Sequence, residues 1–127
     1  MPVQGTFWWN ELSTTDVEGA KIFYAEVVGW KTDPMPMEDG GTYWMLKKGD
    51  EAARGLMAIP EMAAPGTPPY WMAYVAVDDV DAEAAKVEKN GGPVMVAPFD
   101  IPGIGRTCVI KDPQGAVLSL ITSAMKD

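Results

Sequence analysis

The stretch that decides the fold is FWWNELST at residues 7–14, an alternating run rich in aromatic residues that leads directly to Asp-Val-Glu at residues 16–18. Alternation with aromatic and β-branched side chains favours a β-strand, and an aspartate after the strand can cap a helix. A related stretch, YWMAYVAV, begins 63 residues later at residue 70 and leads to Asp-Val-Asp at residues 79–81. The sequence therefore predicts one strand–helix unit that is used twice.

The same spacing continues through the rest of both copies, since Gly29 aligns with Gly92 and Lys48 with Lys111. Periodicity and turn residues predict a strand, a helix and three further strands in each copy. The predicted elements are strands at 6–14, 30–35, 42–47, 52–59, 70–77, 94–97, 106–110 and 116–121, with helices at 17–28 and 80–89. We expect a single α+β domain over residues 1–127, built from βαβββ units at about 5–59 and 69–122 with a proline-rich linker at 60–69. Its sheets should be mixed and largely antiparallel, with the helices on the outside.

The composition is typical of a globular protein with an acidic surface. Of the 127 residues, 47% are hydrophobic and 22% are charged, which are ordinary fractions. Eighteen acidic residues against ten basic ones give a net charge of −8, which repels nucleic-acid phosphate and anionic lipid. The single Cys108 excludes an intrachain disulfide and suits a reducing compartment, and no signal-peptide or membrane-span pattern is visible. We therefore expect a cytoplasmic protein without nucleic-acid or membrane partners.

Several motifs resemble the vicinal oxygen chelate superfamily, which includes glyoxalase I, bleomycin-resistance proteins and extradiol dioxygenases. They are the paired βαβββ units, the Asp-Val-acidic helix entries, Phe23-Tyr24 before Gly29-Trp30, and the turn at residues 112–115 before the last strand. The resemblance covers nearly the whole chain and is strongest to bacterial glyoxalase-like proteins. It implies a cup formed by each curved sheet, and a homodimer. It does not choose among lyases, dioxygenases and drug-binding proteins, because one fold serves all of them.

The catalytic members of this superfamily hold a divalent metal in the cup with histidine, glutamine or glutamate side chains. Carried over position by position, these ligands fall on Trp9, Leu56, Met72 and Ser119. None of the four is a usual ligand, and the chain contains no histidine. Since such sites need imidazole or carboxylate donors, we predict that the metal site is absent and that no cofactor is bound.

Strand alternation predicts what lines the cup instead, because residues two apart face the same side. Glu11 then accompanies Trp9, and Tyr74 accompanies Met72. A four-residue hairpin loop at 112–115 sets Cys108 opposite Ser119, so that Arg106 also lies on the side of Ser119. The repeat spacing adds two positions of the first copy. The predicted ligand-binding residues are Trp9, Glu11, Tyr43, Met45, Met72, Tyr74, Arg106 and Ser119, a largely apolar lining with few polar groups, as small-molecule sites have.

Glu11 allows three interpretations: an ion pair with Arg106, an anchor for a cationic ligand among aromatic rings, or a general base. Trp9, Met45 and Met72 can equally fill the hollow of a relative that no longer uses it. Cys108 is expected to be an inert buried thiol, since no histidine can activate it.

Three functions remain open. We favour a metal-independent small-molecule-binding protein of the glyoxalase and bleomycin-resistance type, a homodimer that holds a largely apolar ligand in its cups. The alternative is a lyase, isomerase or dioxygenase with Glu11 as base or metal ligand. A third possibility is an interaction module that binds no small molecule. The sequence does not decide whether turnover occurs.

Overall fold

The computed structural model describes residues 3–37, 40–59, 65–101 and 104–124. Its elements are β1 (Phe7–Thr14), α1 (Val17–Val28), β2 (Lys31–Pro36), β3 (Thr42–Lys48), β4 (Glu51–Ala58), β5 (Tyr70–Ala76), α2 (Val80–Lys89), β6 (Val94–Ile101), β7 (Gly105–Lys111) and β8 (Val117–Ser123). The predicted α+β class and the order of elements are confirmed, and both helices have the predicted bounds. Strand β6 is longer than predicted. Neither of the helices described is long and apolar enough to cross a bilayer.

The chain divides into two compact units. We call residues Trp9–Met72 the N-terminal unit, and the residues up to Trp8 together with those from Ala73 onward the C-terminal unit. The division differs from the predicted repeat boundaries because the first described residues bind to β5. The Gly5 amide donates to the Ala76 carbonyl at 2.7 Å, and the Ala76 amide donates to the Thr6 carbonyl at 2.9 Å. Of the predicted linker, residues 60–64 lie outside the described residues, and 65–69 form neither helix nor strand.

In the N-terminal unit the strand order is β2-β3-β4-β1, with β1 parallel to β4 and the other pairs antiparallel. Helix α1 begins after Asp16, whose carboxylate accepts a hydrogen bond from the Gly19 amide at 2.9 Å. It ends at Gly29, where a φ of 77° favours glycine. The core between α1 and the sheet consists of buried Leu12, Leu46 and Leu56 with Val17, Ala20, Tyr24, Trp30 and Trp44 packed against them.

The C-terminal unit repeats this arrangement with the strand order β5-β8-β7-β6, in which β5 is parallel to β8. Asp79 caps α2 by accepting hydrogen bonds from the amides of Asp81 and Ala82. The buried core residues are Val77, Val80, Ala84, Cys108, Ile110 and Leu120.

The repeat is real, but its spacing is not constant. Glu11 pairs with Gly55 across β1 and β4, and Tyr74 pairs with Ser119 across β5 and β8. Glu11 and Tyr74 are related by the predicted spacing, whereas Gly55 and Ser119 are one residue further apart. The ungapped alignment of the two repeats, which made Leu56 the counterpart of Ser119, was therefore wrong at this position. Leu56 lies in the core under α1, and Gly55 holds the position that corresponds to Ser119.

The predicted register of the last hairpin was also wrong by one residue. Lys111 pairs with Val117, and Cys108 pairs with Leu120 rather than Ser119. The cause is Asp112, whose carboxylate accepts a hydrogen bond from the Ala116 amide at 2.9 Å and so keeps Ala116 in the loop. A shift of one residue exchanges the two faces of a strand, so Cys108 and Ser119 lie on opposite faces.

Candidate functional site

Four of the predicted ligand-binding residues share one sheet face in the N-terminal unit. Trp9 and Glu11 alternate with core residue Leu12 on β1, and Tyr43 and Met45 alternate with core residues of β3. All four lie on the face turned away from α1, which we call the distal face. Each is half-buried. The structure therefore brings together one indole, one carboxylate, one phenol and one thioether.

A hydrogen bond joins the two aromatic side chains of the distal face. The Trp9 indole Nε1 donates to the Tyr43 hydroxyl at 2.8 Å. The Tyr43 ring crosses β4 to reach Trp9, and a Cβ at Gly55 would lie only 1.9 Å from the Tyr43 hydroxyl oxygen. Only glycine at this position leaves room for the ring where it lies. Our sequence reasoning missed Gly55, although a glycine inside a predicted strand is a known sign of such a close approach.

Glu11 lies in the same row of the sheet as this glycine. Gly55 on β4 pairs with Glu11 on one side and with Met45 on the other. The aromatic pair is thus flanked along the row by a carboxylate residue and a thioether residue. Such a mixture of apolar surface and one ionisable group is typical of sites for small organic molecules.

The outer strands carry an ion pair on the same face. Lys47 Nζ lies 2.6 Å from a carboxylate oxygen of Asp33, and Asp33 pairs in register with Met45. The hydrogen bond from Lys47 to Asp33 raises the pKa of the lysine. The lysine is therefore held as a cation by its neighbour on β2.

The corresponding face of the C-terminal unit carries fewer of the predicted ligand-binding residues. Tyr74 lies beside Ser119 on this face, and Thr107 and Val109 extend it on β7. Ser119 is fully buried, and its hydroxyl has no hydrogen-bond partner among the residues described. By contrast, the buried Thr107 hydroxyl donates to the Leu120 carbonyl at 2.7 Å.

Arg106 does not lie on the face of Tyr74 and Ser119, the other predicted residues of the C-terminal unit. The guanidinium donates to both carboxylate oxygens of Asp81 on α2, at 2.7 and 3.1 Å, and lies 3.3 Å from Asp100 on β6. It therefore faces the helix, because the true register exchanges the faces of β7. The predicted placement of Arg106 beside Ser119 was wrong. These carboxylates raise the pKa of Arg106, and Arg106 in turn lowers the pKa of Asp81.

Cys108 shares the helix-facing side of β7. It is buried in the core beneath α2, and this burial raises the pKa of its thiol. A buried thiol with a raised pKa is a poor nucleophile, which agrees with the inert role expected for it.

The remaining predicted residue, Met72, is half-buried on β5 and belongs to the N-terminal unit. The eight predicted residues are therefore divided. Trp9, Glu11, Tyr43, Met45 and Met72 belong to the N-terminal unit, and Tyr74, Arg106 and Ser119 belong to the C-terminal unit.

The positions that would hold the superfamily metal do not fit a metal ion. An indole at Trp9, a thioether at Met72 and a lone hydroxyl at Ser119 are not the donors that divalent metals require. The fourth position is Gly55, which has no side chain. Among the residues described, no group of three or more histidine, cysteine, aspartate or glutamate side chains could hold a metal ion.

Comparison with known families settles the superfamily. Residues 8–120 match the model of the Glyoxalase/Bleomycin resistance protein/Dioxygenase superfamily. The chain belongs to this superfamily. The resemblance seen in its sequence motifs is thereby confirmed.

Two relatives of this glyoxalase-superfamily chain carry informative names. The protein CFP32 of Mycobacterium bovis, which bears the name of a glyoxylase, is 45% identical over 120 residues, covering 94% of this chain and 45% of that protein. The anthracycline biosynthesis protein DnrV of Streptomyces peucetius is 30% identical over 124 residues, covering 88% of this chain and 45% of that protein. The chain thus spans about half the length of the curated relatives it matches.

Solved structures with the same fold include a methylmalonyl-CoA epimerase of Streptomyces coelicolor in complex with 2-nitronate-propionyl-CoA. It has a TM-score of 0.69 and 21% identity, and the match covers 98% of this chain and 99% of the epimerase. A protein of Bacillus halodurans matches with a TM-score of 0.73 at 12% identity, covering 98% of this chain and 99% of its own. At these identities the likeness concerns the fold alone.

Proposed function

We propose that this member of the glyoxalase superfamily is a metal-independent small-molecule-binding protein. Its ligand is largely apolar and binds to the distal face of the N-terminal unit, in contact with Trp9, Tyr43 and Met45. The observation that carries the proposal is the hydrogen bond from Trp9 to Tyr43 across Gly55. Two joined aromatic side chains give a broad apolar surface. Each side chain has only two torsion angles, so little conformational entropy is lost when a ligand binds.

The donor chemistry supports binding without a metal. The superfamily positions for metal ligands carry an indole, a thioether, a hydroxyl and a glycine, so a ligand would be held by apolar contact and hydrogen bonds. The sulphur of Met45 adds a polarisable, adaptable surface beside the rings. Such a lining can repack around apolar ligands of different shapes.

The test is a titration with acridine, a flat aromatic molecule that is neutral at pH 7.5, followed by its own fluorescence. Because removing an indole from a binding surface typically costs more than 1 kcal/mol, we expect Trp9→Ala to weaken binding about tenfold. Trp71→Ala is the matched control, since Trp71 packs against Tyr24 and Trp30 near α1. Equal affinities of the two variants would contradict the proposed site.

The name of CFP32 favours a second candidate, a lyase or isomerase in which Glu11 is the general base. This candidate requires proton abstraction from carbon by the Glu11 carboxylate. Incorporation of deuterium from heavy water into small carbonyl compounds, followed by NMR, tests it. Incorporation by the wild-type protein that is lost in Glu11→Gln would support catalysis, and no incorporation by the wild type would support binding alone.

A further inference from the structure

We propose that the ligand of the distal face is an organic cation with a flat apolar body, and that Glu11 binds its positive charge. This inference rests on the proposed function, because it names the class of molecule that the same face takes.

Glu11 is placed beside the aromatic pair by the sheet register. It is two residues from Trp9 on β1 and pairs directly with Gly55, the glycine over which the Tyr43 ring lies. Along β1 and the residues of β4 in register with it, Arg54–Ala58, Glu11 is the only charged side chain described on the distal face. A molecule in contact with both rings therefore lies within reach of one carboxylate.

Among the residues described, the basic side chains of the distal face lie on β2 and β3. Lys47 on β3 is held by Asp33 at 2.6 Å. Lys31, its partner in register, is exposed at the first residue of β2. Strand β4 separates both lysines from β1. Neither lysine therefore lies on Glu11's own strand or on the adjacent strand β4.

The physical chemistry of this arrangement favours a cation over a neutral or anionic ligand. Glu11 is half-buried, and water screens the charge of a partly buried carboxylate less than that of an exposed one. Indole and phenol rings attract cations to their faces, which adds to the ion pair. The net charge of −8 raises the local concentration of cations and opposes anions.

Three acridines with one ring system test this inference. At pH 7.5, 9-aminoacridine is a cation, acridine is neutral and acridine-9-carboxylate is an anion. We expect the wild-type protein to bind the cation about tenfold more tightly than the neutral probe, and the anion most weakly. Glu11→Gln should remove the preference for the cation and leave the affinity for acridine within about twofold.

The matched control is Glu26→Gln, which removes the same charge from an exposed position on α1. This variant should keep the preference, whereas a general effect of net charge would reduce it equally in both variants and overturn the role of Glu11. Equal affinity for cation and neutral probe would overturn the inference and leave the proposed function standing. No binding of any acridine would overturn the proposed function itself.

Salt dependence of the wild-type protein keeps the inference testable if Glu11→Gln fails to fold. The cation preference should shrink between 20 and 500 mM NaCl while acridine binding stays constant, because salt screens partly exposed charges. A preference that is independent of salt would contradict an ion pair with Glu11.

Discussion

The hydroxyl of Ser119 illustrates how a single atom can oppose stability in this fold. It is fully buried without a partner among the residues described, while the nearby Thr107 hydroxyl donates to a carbonyl. A buried hydroxyl without a partner costs about 1–3 kcal/mol, and one that forms a hydrogen bond contributes about 1 kcal/mol. Two residues on one face of the C-terminal unit thus have opposite effects on stability.

Their substitution should change the free energy of unfolding in opposite directions. We expect Ser119→Ala to raise it by about 1 kcal/mol and Thr107→Val to lower it by about 1 kcal/mol. Urea unfolding followed by circular dichroism measures both values. A loss of stability in Ser119→Ala would show that the hydroxyl has a partner, such as a bound water.

Gly55 is the residue on which the aromatic pair depends. In Gly55→Ala the new methyl group would occupy the place of the Tyr43 ring, so the ring must move and its hydrogen bond with Trp9 is lost. We expect acridine binding to weaken about tenfold and stability to fall by about 1–3 kcal/mol.

Tyr43→Phe is the companion variant to Gly55→Ala, because it removes the hydroxyl and keeps the ring. It should weaken acridine binding less than Gly55→Ala does. Unchanged binding by Gly55→Ala would mean that the position of the Tyr43 ring is irrelevant to the ligand.

At the scale of elements, Arg106 ties β7 to α2 through Asp81 rather than lining a ligand site. We expect Arg106→Gln to leave acridine affinity unchanged. Weaker acridine binding by a folded Arg106→Gln variant would contradict the assignment of Arg106 to the helix side.

The same ion pair should contribute to the acid sensitivity of the fold. Arg106 lowers the pKa of Asp81 from its usual 3.8, so the pair stabilises the folded state above that pH. The contribution is lost as the pH falls through the lower folded value. Both groups are partly exposed, so the effect is small.

Unfolding in urea at several pH values checks this prediction. Arg106→Gln should be less stable than the wild type at pH 7, and the difference should shrink as the pH falls below 3.8. A difference that grows in acid would contradict the assigned sign.

The elements could be predicted from the sequence, but their faces could be predicted only in part. Alternation and helix caps are local signals, which is why α1 and α2 were located with the correct bounds. The face of β7 depended on a hydrogen bond from the Ala116 amide to Asp112, which lengthens the loop by one residue. The face of β1 did not depend on the length of a loop. Trp9 and Glu11 alternate with the core residue Leu12, and their face was predicted correctly.

The chemistry that the sequence did not reveal is the contact between Tyr43 and Gly55. Tyr43 and Gly55 lie on two different strands. Residue spacing predicts the face on which the Tyr43 side chain lies, but not the direction in which its ring extends across that face. A glycine within a strand pattern indicates that something approaches closely, but it does not identify the neighbour.

At the scale of the whole molecule, the predicted homodimer can be tested at the exposed surface of α1. Ile22, Phe23 and Val27 are exposed by 68, 55 and 60%, more apolar surface than a helix facing water usually carries. We propose that a second copy of the same chain covers this surface.

We expect sedimentation equilibrium to give twice the chain mass of 13.7 kDa. Val27→Lys should shift the protein toward monomer, because it places a charge on the exposed apolar surface of α1. Glu26→Gln on the same helix should not. A monomeric wild type at micromolar concentration would contradict the prediction.

We propose above all that the aromatic pair of the N-terminal unit binds a small molecule without a metal. The most direct measurement is acridine titration of the purified protein before and after exhaustive dialysis against EDTA, with Trp9→Ala alongside. We expect that chelation leaves the affinity unchanged and that Trp9→Ala weakens it about tenfold. Loss of binding after chelation, or wild-type affinity in Trp9→Ala, would contradict it.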